Sequence, residues 1–270
     1  MERAIRDTAR RWLAAGVPAV VVEVSDAKGS APRERGARMV VSAHDAAGTV
    51  GGGHLELKAL QSAREMLRTG ETSPRREQWT LGPSLGQCCG GAVALAFAPL
   101  DEAALGRWAE PPPRFALQLY GAGHVGRAIA ALLATLDVAV DWIDERDAQF
   151  PAALPGGAPW PAHIRRVCVD AVEAEVREAP PGGLVLVLTH SHDLDLRIVE
   201  AALRRDDLAF VGLIGSRTKR ARFARRLAER GLADAAVARL VCPIGVPGIA
   251  GKAPEVVAVA VVAQLLQRSG

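Results

Sequence analysis

Gly121-Ala122-Gly123-His124-Val125-Gly126 follows the apolar run Phe115–Tyr120 and opens a helical pattern over His124–Leu136. Each glycine has its own physical reason in such a turn. The first permits the tight bend, the second lets backbone approach a pyrophosphate, and the third lets the helix pack closely on its strand. The N–H groups of the first helical turn have no partner within the helix and are available to a phosphate. The next strand pattern, Val138–Ile143, ends at Asp144, whose carboxylate can accept hydrogen bonds from ribose hydroxyls. Arg146, close by, offers a partner to a 2′-phosphate instead. Gly121, Gly123, His124, Gly126 and Asp144 are therefore candidate nucleotide-binding residues. The alternative is that the glycines serve packing alone, because a fold persists without its ligand.

Outward from this turn, strand patterns over Leu184–Leu188 and Phe210–Ile214 alternate with helical patterns over Leu194–Arg205, Arg217–Arg230 and Pro254–Arg268. Near-continuous apolar strands separated by helices predict a doubly wound parallel sheet. Before it lies a different pattern. A helix is predicted over residues 2–15, strands over Ala19–Val24, Ala37–Val41, Gln78–Leu81 and Ala92–Ala98, and a helix over Leu55–Leu67 ended by Gly70. Between the two halves stands Ala109-Glu110-Pro111-Pro112-Pro113-Arg114, and three prolines fit neither a helix interior nor a central strand. The expected organisation is an α/β chain: an N-terminal α+β domain (1–109), a proline-rich linker (110–114) and a Rossmann-like domain (115–270).

Composition narrows the function classes. Of 270 residues 49% are hydrophobic and 23% charged, with both signs mixed, which excludes a disordered chain. A formal net charge of +3 lacks the basic excess of a dedicated nucleic-acid binder. No run of 18 uncharged apolar residues exists, so no membrane partner is expected. Met1–Leu13 is charged throughout and has no signal-peptide core, which makes the cytoplasm the expected location.

Several loops carry chemistry. Leu85-Gly86-Gln87-Cys88-Cys89-Gly90-Gly91 sets two adjacent thiols between glycines. Adjacent Cα atoms lie about 3.8 Å apart, short of the roughly 4.4–6.8 Å a relaxed disulfide spans. Both are expected as thiols, able to ligate a metal or to pass sulfur from one to the other by exchange. Cys168, inside Val-Cys-Val, reads as core, and Cys242 before Pro243 as a thiol able to face a site. Ser30, Arg33 and Arg35 in Gly29–Gly36 put a hydroxyl and two guanidiniums near glycines, a set that suits an oxyanion or a solvated hairpin. Gly52 and Gly53 precede a helix, another place for an anion, with Glu56 in its first turn. His190 and His192 in Thr189–Asp195 line the crevice of an open α/β sheet. With two aspartates they form either a metal set or a helix start capped by Asp193. Ser216 in Gly215–Arg220 suits phosphate, and the arginines that follow read as a solvated face or a partner surface.

These strings, in this order and spacing, resemble the xanthine dehydrogenase accessory protein family, XdhC/CoxI, over almost the whole chain. The likeness runs through GSAPRERG (29–36), GTVGGGHLE (48–56), GQCCGG (86–91), YGAGHVG (120–126), DERDAQFP (144–151), THSHDLDL (189–196), GLIGSRTKRARF (212–223) and the C-terminal stretch 242–266. It departs at Lys252-Ala253-Pro254, where related sequences often carry a more acidic or threonine-containing string. The resemblance implies a chaperone more than a turnover enzyme. Such proteins bind the molybdopterin form of the molybdenum cofactor, support its sulfuration with a cysteine desulfurase, and deliver it to apo-xanthine dehydrogenase. It further implies that Cys88 and Cys89 ligate molybdenum or relay sulfur, while Arg33, Arg35 and the glycine loops hold the pterin phosphate. Two rivals stay open: an NAD(P)-dependent oxidoreductase, which leaves the cysteine pair idle, and a nucleotide-sensing module. A homodimer is compatible with all three.

Overall fold

The computed structural model describes residues 2–81, 91–108 and 112–268. Contacts divide the chain into two compact units, 1–111 and 112–270.

In the first unit, α1 (Glu2–Ala14) is followed by β1 (Ala19–Lys28), β2 (Arg38–Ser42), β3 (Ala46–Gly48), α2 (Gly53–Thr69), β4 (Arg75–Thr80), β5 (Ala92–Pro99) and α3 (Glu102–Arg107). The sheet is antiparallel in the order β3-β2-β1-β5-β4. Side chains alternate across a strand, and β1 uses both faces. Val20, Val22 and Val24 meet Leu55, Ala59, Ala63 and Met66 of α2. Val21 turns the other way and packs with Ile5 and Ala9 of α1 and with Trp108. A central strand covered on both faces carries a near-continuous apolar run, and Ala19–Val22 displays one before Glu23.

The second unit has β6 (Ala116–Tyr120), α4 (His124–Leu133), β7 (Ala139–Asp144), β8 (Ile164–Cys168), β9 (Leu184–Val187), α5 (His192–Leu203), β10 (Phe210–Leu213), α6 (Arg217–Glu229), α7 (Asp234–Ala238), β11 (Leu240–Val241) and α8 (Pro254–Arg268). Its sheet runs β11-β10-β9-β6-β7-β8 with every pairing parallel. Renumbered within the unit this is 3-2-1-4-5-6, the doubly wound dinucleotide-binding order, with its switch point between β6 and β9. Leu184 and Leu186 of β9 face α4 and α8, while Val185 and Val187 face α5 and α6. Helices thus cover both faces, as the apolar strands predict.

Three strands escaped the sequence reading, the short β3 and β11 and the longer β8. β8, Ile164-Arg165-Arg166-Val167-Cys168, is an edge strand, and its exposed arginines break the apolar run by which the others are legible. The reading of Cys168 as core is overturned. Cys168 is exposed, whereas Cys242 is buried with its Sγ 3.8 Å from the Ser216 carbonyl oxygen. None of the described helices is long and apolar enough to cross a membrane.

Candidate functional site

At the switch point the chain leaves β6 through the glycine turn. Gly121 sits at φ +115°, and a Cβ there would strike the Leu188 carbonyl just past β9. A Cβ on Gly126 would strike the Gly121 carbonyl oxygen. These two glycines are required by packing alone. Gly123 differs: its φ is −72° and a Cβ on it would meet nothing within 4 Å. It precedes α4 without a side-chain cap, which leaves the first N–H groups of that helix without a capping side chain. Of the three glycines, only this one leaves room for a phosphate and has no packing reason of its own.

Neighbouring side chains fasten the turn. Trp142 Nε1 donates to the Gly121 carbonyl at 3.0 Å, and Arg127 Nε reaches the carbonyls of Ala122 and Gln149 at 2.9 and 3.0 Å. Asp144, 4% exposed, accepts the Ala122 N–H at 2.7 Å and the Arg146 N–H at 3.0 Å. It also receives Arg146 Nε and Nη2 at 2.9 and 3.0 Å. Burial raises the Asp144 pKa, but the Arg146 guanidinium and the two backbone N–H groups outweigh it and hold the carboxyl below its ordinary range. The four acceptor positions of a carboxylate are thereby filled from within the chain. Asp144 acts in this structure as the clasp between β7 and the glycine turn.

His190 Nε2 lies 3.5 Å from Glu145 Oε1. Glu145 follows β7 and His190 follows β9, so this pair bridges the end of β6, which lies between those strands. His192 turns elsewhere, its Nδ1 3.0 Å from Arg222 Nη2. The two histidines do not converge, and among the described residues no group of three or more His, Cys, Asp or Glu gathers to hold a metal. Ser191, not Asp193, caps α5. Asp193 instead pairs with Arg226 at 3.2 Å, and Glu200 with Arg230 at 2.6 Å, so part of the arginine row on α6 ties it to α5.

Sequence reasoning missed the buried pair beneath these loops. Asp195 is 0% exposed and takes Lys219 Nζ at 2.7 Å on one oxygen. The other accepts the Thr189 N–H and hydroxyl at 3.0 and 2.7 Å, while Lys219 Nζ also donates to the Ile214 carbonyl at 2.9 Å. The pair ties the loop after β9 to the loop after β10. Both residues stand in the quoted motifs, but a contact between positions 195 and 219 has no signature in one sequence.

His124 also borders a cavity of about 630 Å³ between α4, the loop 151–160 and the start of α8. Its walls include Leu132, Pro151, Leu154, Trp160 and Val259. An apolar hollow of this size beside a phosphate turn suits a planar ring system.

In the first unit, three glycine-bearing stretches converge. A Cβ on Gly29 would stand 3.3 Å from Gly91, one on Gly91 would collide with the carbonyls of Lys28 and Ser30, and one on Gly51 would stand 2.6 Å from Pro32 Cγ. Gly91 is also tied to β4, its carbonyl accepting the Leu81 N–H at 2.7 Å. Arg33 and Arg35 line a hollow of about 520 Å³ together with Glu2, Glu34 and Arg38, a lining of mixed sign. At the start of α2, Glu56 accepts the Gly52 N–H at 3.2 Å and the Thr49 hydroxyl. An anion at Gly52 and Gly53 would first have to displace that carboxylate. Cys88 and Cys89 lie outside the described residues; Gly90 alone separates Cys89 from Gly91.

A doubly wound sheet with a glycine turn at its switch point, preceded by a small antiparallel α+β unit, defines a two-unit protein of Rossmann type. The chain belongs to the XdhC and CoxI family: the XdhC Rossmann domain model matches residues 117–265 and the XdhC and CoxI family model residues 12–78. The uncharacterized protein YqeB of Escherichia coli (strain K12) is 31% identical over 256 residues, which is 93% of this chain and 43% of that protein. The chain thus spans under half the length of this relative. A crystal structure from Bacillus halodurans, described as a xanthine dehydrogenase, superposes with a TM-score of 0.73 at 19% identity, covering 97% of this chain and 95% of the other. At that identity the likeness concerns the fold.

Proposed function

We propose that this protein is a maturation factor for a xanthine-dehydrogenase-type enzyme, binding the molybdenum cofactor as cargo, supporting its sulfuration and passing it to the apo-enzyme. The observation that carries the reading is the family membership, which extends over both units. The geometry is compatible with it. The open cradle at Gly123 and the free N–H groups of α4 fit the phosphate that the pterin carries, and the apolar cavity beside His124 fits a fused ring.

Sulfur chemistry is assigned to Cys88 and Cys89, on their sequence setting. Neither described cysteine is disposed to it. At Cys168 desolvation and then the carboxylates of Asp147, Asp144 and Asp170 push the thiol pKa up. At Cys242 burial does the same against the pull of Lys219 and Arg220. A protonated thiol is a poor ligand and nucleophile. The cysteine pair then ligates molybdenum or accepts sulfur from a cysteine desulfurase, and Ser30 lies beside Gly91, two residues on from Cys89 in the sequence.

The test mixes the full chain with mature cofactor, removes the excess and measures retained molybdenum and pterin, in the wild type and in the Cys88→Ala/Cys89→Ala pair. Stoichiometric retention that falls in the double variant is expected. Absence of retention in both forms would overturn the assignment and return the glycine turn to a nicotinamide or other nucleotide.

A further inference from the structure

The cavity between α4, the loop 151–160 and the start of α8 has a wall that is fixed before any ligand arrives. Trp160 donates from Nε1 to the Pro151 carbonyl at 2.9 Å and rests against Trp142, with ring centroids 5.2 Å apart. Trp142 in turn holds the Gly121 carbonyl, which ties this wall to the glycine turn. On α8, Val259 borders the cavity and is 50% exposed, although its neighbours Ala258 and Ala260 are buried.

Three ionisable side chains border the cavity: His124, Arg127 and Glu255. Arg127 is committed to the turn through the carbonyls of Ala122 and Gln149 and the Gln149 side chain. His124 adjoins Gly123 and so joins the cavity to the phosphate cradle. The Glu255 side chain has neither an ion pair nor a hydrogen bond among the described residues. An acid in the first turn of a helix complements the dipole, which accounts for Glu255 on α8. It does not account for a carboxylate at the border of an otherwise apolar hollow. The cavity thus presents apolar walls and one uncommitted group that only accepts hydrogen bonds.

A carboxylate pairs best with two N–H groups set side by side, one on each oxygen. On a flat fused ring that pattern is the 2-amino-4-oxopyrimidine edge, shared by pterins and guanine. Adenine sets an acceptor beside its amino group, and hypoxanthine lacks the amino group.

We infer that Glu255 is the specificity-determining residue of this cavity, reading the paired N–H groups of a 2-amino-4-oxopyrimidine edge while the ring lies against Trp160. The inference rests on the ring site proposed above and names the residue that selects the ring.

Calorimetric titration of the full chain with two matched pairs tests it. 6-Hydroxymethylpterin and 6-hydroxymethyllumazine differ in the substituent between the two pyrimidine nitrogens, where lumazine turns a carbonyl oxygen toward the carboxylate. Guanosine and inosine monophosphates differ by the same amino group. The pterin is expected to bind about tenfold tighter than the lumazine, the worth of one charge-assisted hydrogen bond. Glu255→Gln is expected to weaken pterin binding about tenfold and to bring the two rings close to parity. Asp234→Asn, which removes the first-turn acid of α7 outside the cavity, is expected to keep both affinity and preference. Ala131→Trp, which fills the cavity, is expected to abolish binding of both rings. The tighter of pterin and guanosine monophosphate identifies which source of the edge the site takes.

Equal affinities for pterin and lumazine, or an unchanged preference in Glu255→Gln, would overturn the inference and leave a ring in the cavity. Binding that survives Ala131→Trp would place the ring elsewhere and overturn it too. A lower melting temperature in Glu255→Gln with the preference intact would make Glu255 a dipole-complementing residue only. If no ring binds while the wild type still retains mature cofactor, Glu255 loses this role and the maturation reading stands. If cofactor is not retained but the preference for guanosine over inosine monophosphate depends on Glu255, the maturation reading falls and this inference holds.

Discussion

The Asp144 carboxylate accepts the Ala122 N–H at 2.7 Å, so the end of β7 holds the glycine turn that leaves β6. Because Arg146 occupies the rest of the carboxylate, Asp144→Asn removes a charge-assisted bidentate contact and sets an amide N–H₂ against other donors. A loss of about 1–3 kcal/mol at neutral pH is expected, read by urea denaturation. The folded pKa of Asp144 is lowered, so its contribution is complete above the ordinary carboxylate value near ~4 and fades as pH falls through the lower folded value. The gap between wild type and variant is therefore expected to close in acid. A gap that stays constant from pH 7 to acid would contradict the clasp.

The three glycines of the turn separate by substitution. Gly126→Ala drives a Cβ into the Gly121 carbonyl and is expected to cost about 1–3 kcal/mol in thermal or chemical melts. The Cβ of Gly123→Val meets no atom within 4 Å, and the variant is expected to preserve stability while blocking phosphate-bearing ligands at the turn. A Gly123→Val variant that melts early, or one that binds pterin or nucleotide as the wild type does, removes the cradle reading.

Lys219 and Asp195 make a sharper test of the loops behind the crevice. Lys219→Met leaves a wholly buried carboxylate with Thr189 as its remaining partner, at an expected cost of about 3–5 kcal/mol. Removing both charges, in Lys219→Met/Asp195→Leu, is expected to recover much of that loss, since no buried charge then remains unpaired. Denaturation of the two single variants and the double variant completes the cycle. Additive losses would show that the two side chains do not act as a pair.

The Rossmann half was largely legible because its strands are apolar on both faces and its turn needs glycine at 121 and 126 for reasons local to the backbone. What escaped is long-range or exposed. β8 carries Arg165 and Arg166 and so lacks an apolar run. Asp144, placed at the strand end where a ribose partner belongs, is claimed by Arg146, two residues away, and the sequence shows only that both are present. The histidines of Thr-His-Ser-His read by type and spacing either as part of a metal set or as part of a helix start. The backbone sends them to different partners, Glu145 and Arg222, a divergence fixed by where α5 begins. In the N-terminal unit each glycine loop was readable as a loop, but their convergence around Ser30 and Pro32 depends on sheet pairing between β1 and β5, whose partners lie far apart in the chain.

That convergence yields a final prediction. Gly91 closes the hairpin of β4 and β5 and stands against the carbonyls of Lys28 and Ser30, where a Cβ has no room. Gly91→Ala must push the start of the Gly29–Gly36 loop away from β5, and overpacking of this kind costs about 1–3 kcal/mol. Hydrogen exchange is expected to quicken at β1 and β5 amides near Lys28 and Ala92, with β6 to β10 unaffected. Gly106→Ala serves as the control: it lies in α3, meets nothing within 4 Å, and gains helix propensity. If cofactor handling depends on Ser30 lying beside the end of the cysteine loop, Gly91→Ala also lowers molybdenum retention while both thiols stay intact. Retention at the wild-type level in a variant whose β1 exchange has quickened would separate the Ser30 loop from the cysteine chemistry.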